Sequence, residues 1–187
     1  MPIFHIRPII IRSDRIPALE TYESFNAMRL KMMDWWPAYD PGNYLLISDP
    51  LRLKVEAPTG GWSDKITGTL WYQVHSLVGY ELKSTDCDGL LVLLEDVLAT
   101  DTHGSGLRYE SDSIGDEFGL AVVDAAVCKS LQGVPSLGID GMPTNLACGV
   151  IMHEIGHAFG HGHTNTPRDD VMWEYWKWPN VLLEPKI

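Results

Sequence analysis

Hydrophobic and polar residues along the first half of the chain follow the periods of strands and helices in turn. The start is rich in isoleucine, as is typical of a strand, and Leu19–Trp36 carries apolar residues at close to helical spacing until Pro37 ends the pattern. The elements predicted here are strands at Ile3–Ile11 and Tyr44–Val55, the latter bent or at an edge because of Pro50, a turn at Pro58–Gly61, and helices at Leu19–Trp36 and Thr69–Leu82.

The second half of the chain continues this order and ends in a helix. Leu90–Leu94 is a short, continuous apolar run, which is typical of a central strand buried on both faces. The polar, glycine-rich segment Ala99–Glu117 predicts a loop. The remaining predicted elements are a strand at Gly119–Val123, a turn or short helix at Ala126–Ser130, a strand at Leu137–Ile139 and a helix at Asn145–Phe159. This order of strands and helices predicts an α/β (α+β) fold.

Length, composition and charge narrow the class of protein. A chain of 187 residues is long enough for one well-buried core and hardly enough for two, so we expect a single domain over residues 1–187. The formal net charge of −11, without a Lys/Arg cluster, argues against binding to nucleic acid or to anionic membrane surfaces. No apolar run reaches the roughly 18 residues of a membrane span, and the N-terminal stretch has no signal-peptide pattern. We expect a monomer.

The three cysteines, Cys87, Cys128 and Cys148, permit at most one internal disulfide and leave one thiol over. Cys128–Cys148 is the pair we expect if a bridge forms, and three free, buried thiols are the alternative. Cysteine usage therefore does not decide between an oxidising and a reducing compartment.

The most informative pattern lies in the last predicted helix, which contains the sequence HExxHxxGxxH at His153, Glu154, His157, Gly160 and His163. The first two histidines are four residues apart, so both imidazoles lie on one face of the helix and can bind one zinc ion. The glycine allows a positive φ, so the chain can leave the helix and bring back the last histidine as a third ligand. Three protein ligands leave one coordination position open, as in catalytic zinc sites.

Two alternatives compete with this interpretation. A bare HExxH also occurs by chance in ordinary helices, although the extended form is far more constrained. His161 lies four residues after His157 and would continue the same stripe, so it is a competing ligand. The glycines on either side of it favour an end of the helix before that point, and therefore favour His163. Asp169 and Asp170 are weaker candidates.

The extended motif, followed nine residues after His163 by Met172, resembles the metzincin zinc endopeptidases. In that clan three histidines bind zinc, the glutamate is general base and acid, and a methionine in a tight turn forms a floor under the metal. Here these roles fall to His153, His157, His163, Glu154 and Met172. The resemblance implies a metzincin-type zincin fold with a twisted mixed sheet and an active-site helix. The N-terminal subdomain would span about residues 1–163, and a very short C-terminal subdomain about residues 164–187.

A second match narrows the resemblance to the adamalysin or reprolysin group, with a matrixin-like enzyme as runner-up. The segment GLAVVDAAVC, Gly119–Cys128, is similar to the edge strand that aligns substrate in that group and to the cysteine after it. The resemblance implies that Gly119, Leu120 and Ala121 bind substrate, and it favours a secreted protein. The chain departs from the group at Thr164, where an aspartate is usual, and no cysteine occurs among the 24 residues after His163.

Together these features predict a zinc-dependent endopeptidase with one catalytic Zn²⁺ and a peptide or protein substrate. Trp173 and Tyr175 are predicted to wall the substrate pocket, or else to anchor the C-terminal segment. Alternative functions are a zinc hydrolase of a non-peptide amide and a metal-binding protein without turnover. The segment Ala99–Glu117 is a candidate for a structural Ca²⁺ or second Zn²⁺ site, or a solvated loop, because no ligand spacing repeats among its Asp101, His103, Asp112, Asp116 and Glu117.

Overall fold

The computed structural model of the chain describes residues 2–12, 19–56, 58–78, 87–95, 104–110, 117–125, 127–128, 135–136, 144–163 and 172. The strands in these ranges are β1 (Ile3–Arg12), β2 (Tyr44–Ile47), β3 (Leu51–Lys54), β4 (Gly89–Leu94), β5 (Gly104–Glu110), β6 (Glu117–Asp124), β7 (Pro135–Ser136) and β8 (Thr144–Asn145). The helices are α1 (Leu19–Tyr39), α2 (Trp71–Val78), which follows a π-helical stretch at Ile66–Leu70, and α3 (Leu146–Ala158).

A mixed sheet forms the centre of the molecule, with the strand order β2–β1–β4–β6–β5 and with β3 also paired to β1. Strand β1 runs parallel to β2, β3 and β4, and β4 runs parallel to β6. Strand β5 is antiparallel to β6. The short antiparallel pair β7–β8 leads into α3. The predicted α/β (α+β) class with a mixed sheet is therefore confirmed.

The sheet separates two hydrophobic clusters. All six residues of β4 are buried, as the continuous apolar run predicted. Leu91 and Leu93 belong to the cluster that includes α1 and α3, whereas Leu90 and Val92 belong to the cluster that includes α2. Helix α1 faces its cluster with residues at helical spacing, namely Phe25, Met28, Met32 and Trp36. Both the central strand and the first helix are thus confirmed.

Several element boundaries differ from those predicted. Helix α1 continues past Pro37 to Tyr39, because the Trp36 carbonyl still accepts a hydrogen bond from the Asp40 N–H at 2.9 Å. The segment predicted as one strand over Tyr44–Val55 is divided into β2 and β3, in agreement with the bend indicated by its proline. The turn at Pro58–Gly61 is present and has an N–H···O distance of 2.7 Å. No helix in the described part of the chain is long and apolar enough to span a membrane.

Two further predictions cover residues that the structure describes only in part. The helix predicted at Thr69–Leu82 begins earlier, with the π-helical stretch, and is described as far as Val78. Of the predicted turn or short helix Ala126–Ser130, only Val127 and Cys128 are described, and both are helical. The strand predicted at Leu137–Ile139 lies outside the described residues.

The edge of the sheet next to α3 is not the strand that the sequence indicated. The segment Ala99–Glu117, predicted as a loop, contains β5, and β5 rather than β6 is the last strand in the order. Strand β6 is paired on both sides, with Gly119–Ala121 bonded in register to β4 and to β5. The glycines and polar residues of β5 have low strand propensity, so its conformation depends on the pairing with β6. Strand β6 is therefore an interior strand and not the edge strand that the resemblance of Gly119–Cys128 implied.

Candidate metal centre

Helix α3 is buried on nearly all of its surface. Its apolar residues belong to the first hydrophobic cluster, and among its polar residues His153 is 1% and Glu154 2% exposed. A helix that is apolar around most of its circumference is stable only inside a core. Two polar side chains buried there need partners or a ligand, because an uncompensated polar group in an apolar interior is costly. His157 is the partly exposed member of the motif on this helix.

The three predicted zinc ligands converge. The Nε2 atom of His157 lies 3.1 Å from Nε2 of His153 and 3.1 Å from Nε2 of His163, and the third side of this triangle measures 3.3 Å. Tetrahedral zinc with bonds of about 2.0–2.1 Å places two nitrogen ligands about 3.3–3.4 Å apart. The triangle therefore fits one zinc ion. Among the described residues, these three form the group of His, Cys, Asp or Glu side chains able to hold a metal ion.

The backbone after α3 brings the third histidine into place. The helix ends at Ala158, and Gly160 has φ of +87°, a left-handed conformation that glycine adopts without strain. The Gly160 N–H bonds to the His157 carbonyl at 2.9 Å, and the His161 N–H bonds to the Gly156 carbonyl at 2.9 Å. These bonds close the helix and turn the chain back over the metal site, as the spacing of the motif predicted.

His157 is held as the neutral tautomer that can bind a metal. Its Nδ1–H donates to the His161 carbonyl at 2.8 Å, and since a carbonyl can only accept, the proton must be on Nδ1. The lone pair of Nε2 then faces the other two rings. Burial lowers the pKa of His157, and the nearby rings of His163 and His161 add to this effect, whereas the bond to the carbonyl opposes it. A lowered pKa keeps the imidazole unprotonated and available to a metal at a lower pH.

His161, the competing candidate, points elsewhere. Its Nε2 lies 3.3 Å from Oδ2 of Asp40, at the end of α1. The ring is therefore turned away from the triangle, and the structure brings His163, and not His161, to the two histidines of the helix. The glycines that flank His161 explain this outcome, since the helical stripe ends before it can continue.

Two glycines of β5 allow the edge strand to lie directly on α3. A Cβ atom at Gly104 would lie 2.5 Å from Cγ, 2.9 Å from Cδ and 3.0 Å from Oε1 of Glu154. A Cβ at Gly106 would collide with the Glu154 carbonyl and lie 2.9 Å from Cβ of His157. Without side chains at these positions, the strand reaches both residues. The sequence analysis missed the role of these two glycines because it assigned them to a loop. The signal that could have revealed it is their spacing of two residues, Gly104–x–Gly106, which places both on the same face of a strand.

The three residues proposed to bind substrate on β6 are packing residues. Leu120 is 1% and Ala121 0% exposed, and both belong to the hydrophobic core. A Cβ at Gly119 would collide with the Ala158 carbonyl, so this glycine allows α3 to approach β6 closely. The substrate-binding assignment of Gly119, Leu120 and Ala121 is corrected accordingly, since none of them presents a group to solvent.

Met172 packs against α3. It is 6% exposed, and its sulfur occupies the space that a side chain at Gly156 would fill. Gly156 lies in the helical turn between the two histidines, so the methionine supports that turn. Trp173 and Tyr175 lie outside the described residues.

The remaining predictions concern the three cysteines and the candidate metal ligands in the segment Ala99–Glu117. No disulfide joins Cys87, Cys128 and Cys148, so of the two alternatives the structure has three thiols and not the Cys128–Cys148 bridge. Burial, with a contribution from Cys148, raises the pKa of Cys128 to about 12, so the thiol stays protonated and unreactive. Of the candidate Ca²⁺ or second Zn²⁺ ligands, Asp101, His103, Asp112 and Asp116 lie outside the described residues.

Comparison with known proteins gives one family match. A family model described as metallo-peptidase family M12B, reprolysin-like, matches residues 94–164. The matched segment contains β5, β6, α3 and all three histidines of the triangle. It confirms the reprolysin-like resemblance, whereas the matrixin-like runner-up is not confirmed. No curated protein matches the chain.

Proposed function

We propose that this chain, a reprolysin-like metzincin by its motif and its family match, is a zinc-dependent endopeptidase. The observation that carries the proposal is the convergence of Nε2 atoms of His153, His157 and His163 at 3.1–3.3 Å, next to the buried Glu154. In this proposal the three histidines are the zinc ligands. Zinc bound there would supply Lewis-acid polarisation of a scissile carbonyl and of a water molecule.

Glu154 is proposed as general base and general acid. It directly follows His153 on α3, and its carboxylate is not part of the metal-binding triangle. Its side chain lies against the backbone of Gly104, at the edge strand. A carboxylate there can take a proton from the attacking water and pass it to the leaving amine. We further propose Tyr175 as a second hydrogen-bond donor to the oxyanion of the tetrahedral intermediate, beside zinc.

We propose β5 as the strand that aligns the substrate, in place of β6. It is the last strand of the sheet order, and the partner that the described residues give it is β6, on one side. An extended peptide can add to such an edge through main-chain hydrogen bonds. Because Gly104 and Gly106 let β5 lie directly against Glu154 and His157, a substrate peptide added to β5 would lie close to the proposed base and to the metal ligands. This arrangement favours an endopeptidase over a hydrolase of small amides, because the last strand of a sheet can align an extended peptide.

The proposal is tested by incubating the zinc-loaded protein with a peptide library and sequencing the products. We expect internal cleavage that stops when a chelator removes zinc and returns when zinc is added back. The matched control is the Glu154→Gln variant loaded with the same amount of zinc. Intact peptides combined with hydrolysis of small amide substrates would make the protein a non-peptide amide hydrolase. Stoichiometric zinc binding without either reaction would make it a metal-binding protein.

Met172→Leu should fold, bind zinc and keep measurable peptidase activity, with a modest loss of thermal stability. The methionine packs on Gly156 rather than taking part in the triangle, and leucine has a similar volume, so the cost in free energy of unfolding is expected to stay below about 1.5 kcal/mol. Thermal melts and zinc content of the variant check this, with Met28→Leu, at a buried position of α1, as control. If Met172→Leu alone cannot retain zinc, the methionine does more than support the helix.

A further inference from the structure

A carboxylate at the end of α1 contacts the loop that carries the third zinc ligand. Oδ2 of Asp40 lies 3.3 Å from Nε2 of His161, and the Asp40 side chain is 15% exposed. The two residues are far apart in sequence, and neither was assigned a role by the motif. Their contact joins the first helix to the segment between His157 and His163.

The Asp40 carboxylate is fixed by hydrogen bonds of its own, in addition to its contact with the imidazole of His161. The side-chain amide of Asn43 donates to both of its oxygens, at 2.9 and 2.8 Å. The backbone is fixed as well, since the Asp40 N–H bonds to the Trp36 carbonyl and the Asn43 N–H bonds to the Asp40 carbonyl at 3.1 Å. Trp36 in turn meets the ring of Phe159, directly after α3, edge to face at 6.3 Å. The end of α1 is therefore a rigid support beside the loop Phe159–His163, which we call the metal-binding loop.

His161 connects this support to the metal-binding triangle. Its ring contacts Asp40, while its backbone carbonyl accepts the Nδ1–H of His157 and so fixes the orientation of that ring. It also stands between Gly160 and Gly162, and a Cβ at Gly162 would meet nothing within 4 Å. Glycines give the backbone wide conformational freedom. The ring of His161 thus ties this glycine-rich turn to the end of α1.

We propose that Asp40 is a positioning residue of the metal site, which acts through His161 to orient His157 and to hold the loop that carries His163. This inference rests on the zinc site of the proposed function but not on turnover. An ion pair at a protein surface often contributes nothing measurable to stability. The proposal differs from that case because the pair is connected to a metal ligand, so its effect is expected in metal affinity rather than in the stability of the metal-free fold.

The test is a double-mutant cycle on zinc affinity. The Kd for Zn²⁺ alone is measured by chelator competition in the wild-type protein, Asp40→Ala, His161→Ala and the double variant. Loss of a partner outside the ligand set typically weakens metal binding about 10–100-fold. We expect each single variant to lie in that range and the double variant to be no weaker than the weaker single, because both substitutions break the same connection. Asp40→Asn, which retains an acceptor oxygen, should recover part of the affinity.

The control for the loss of a negative charge is Asp49→Ala. Asp49 pairs with Arg29 of α1, and its side chain is 80% exposed. Its Kd for Zn²⁺ should equal that of the wild type. With Co²⁺ as the probe, the visible spectrum of Asp40→Ala should change, since the ring of His157 is less well oriented, whereas that of Asp49→Ala should not.

Wild-type zinc affinity in both Asp40→Ala and His161→Ala would overturn the positioning role, and so would fully additive effects in the double variant. A wild-type protein that does not bind zinc would contradict the proposed function itself. A wild-type protein that binds zinc tightly but shows no coupling between the two residues would contradict only the role of Asp40. Since His161→Ala removes the same contact from the other side, the proposal stays testable if Asp40→Ala does not fold.

Discussion

Glu154→Gln is expected to lower kcat for peptide hydrolysis by about 10²–10⁴-fold, the usual contribution of a positioned proton-transfer group. Zinc content and fold should be unchanged. Glutamine has nearly the same size and shape as glutamate, so it can occupy the space against Gly104 that the carboxylate fills. It is not one of the three ligands, and therefore its replacement leaves the metal-binding triangle intact. What is lost is the ability to take and deliver a proton.

The measurement is kcat and KM for one cleaved peptide, with zinc content determined on the same samples. KM should change little, because the carboxylate acts on the water and not on the peptide backbone. Glu154→Ala should lose turnover to a similar degree but with a larger loss of stability, since it leaves a cavity next to the edge strand. Glu23→Gln, an exposed carboxylate on α1, is the control and should behave as the wild type. Turnover near the wild-type level in both Glu154 variants would mean that another residue is the base.

The metal-binding triangle could be predicted from the sequence because the features that build it are local. His153 and His157 are neighbours on one helix, and Gly160 lies between that helix and His163. Each step of the argument uses spacing along a few residues, so it does not require knowledge of the rest of the fold. The same is true of α1, whose apolar residues at helical spacing are the ones buried in the core.

The edge of the sheet could not be predicted in the same way. Strand β5 has few of the branched and aromatic residues that favour strands, and its conformation depends on pairing with β6. The resemblance implied that β6 is an edge strand. In the structure its residues are buried on both faces of the sheet, with Ala121 and Val123 in one hydrophobic cluster and Leu120 and Val122 in the other, as is typical of an interior strand. Gly104 and Gly106 acquire their meaning only from the helix that packs on them, which follows later in the chain.

The contact between Asp40 and His161 shows the same limit. The sequence identifies His161 as one of several histidines in a short segment, and helical spacing alone made it a candidate ligand. What gives the ring another partner is the position of the end of α1, which depends on how two helices pack on one face of the sheet. Contacts between residues distant in sequence are set by the tertiary fold, and no local pattern reports them.

His163→Ala is expected to weaken zinc binding more than any variant outside the triangle. Loss of a ligand removes a bond to the metal, whereas loss of a residue that positions a ligand, the role proposed for His161, is expected to cost about 10–100-fold. We therefore expect a decrease in zinc affinity of more than ~100-fold for His163→Ala. His163 is exposed, so the stability of the metal-free fold should change by no more than about 0.5 kcal/mol.

The order of zinc affinities among the alanine variants decides between the two candidate third ligands. With the geometry described above, His163→Ala should bind zinc most weakly, His161→Ala should be intermediate, and the wild type should bind most tightly. Chelator competition measures all three, and thermal melts of the metal-free proteins show whether the fold is retained. The reverse order, with zinc lost in His161→Ala and kept in His163→Ala, would mean that His161 turns away from Asp40 to bind the metal. In that case both the ligand assignment and the positioning role of Asp40 would be wrong.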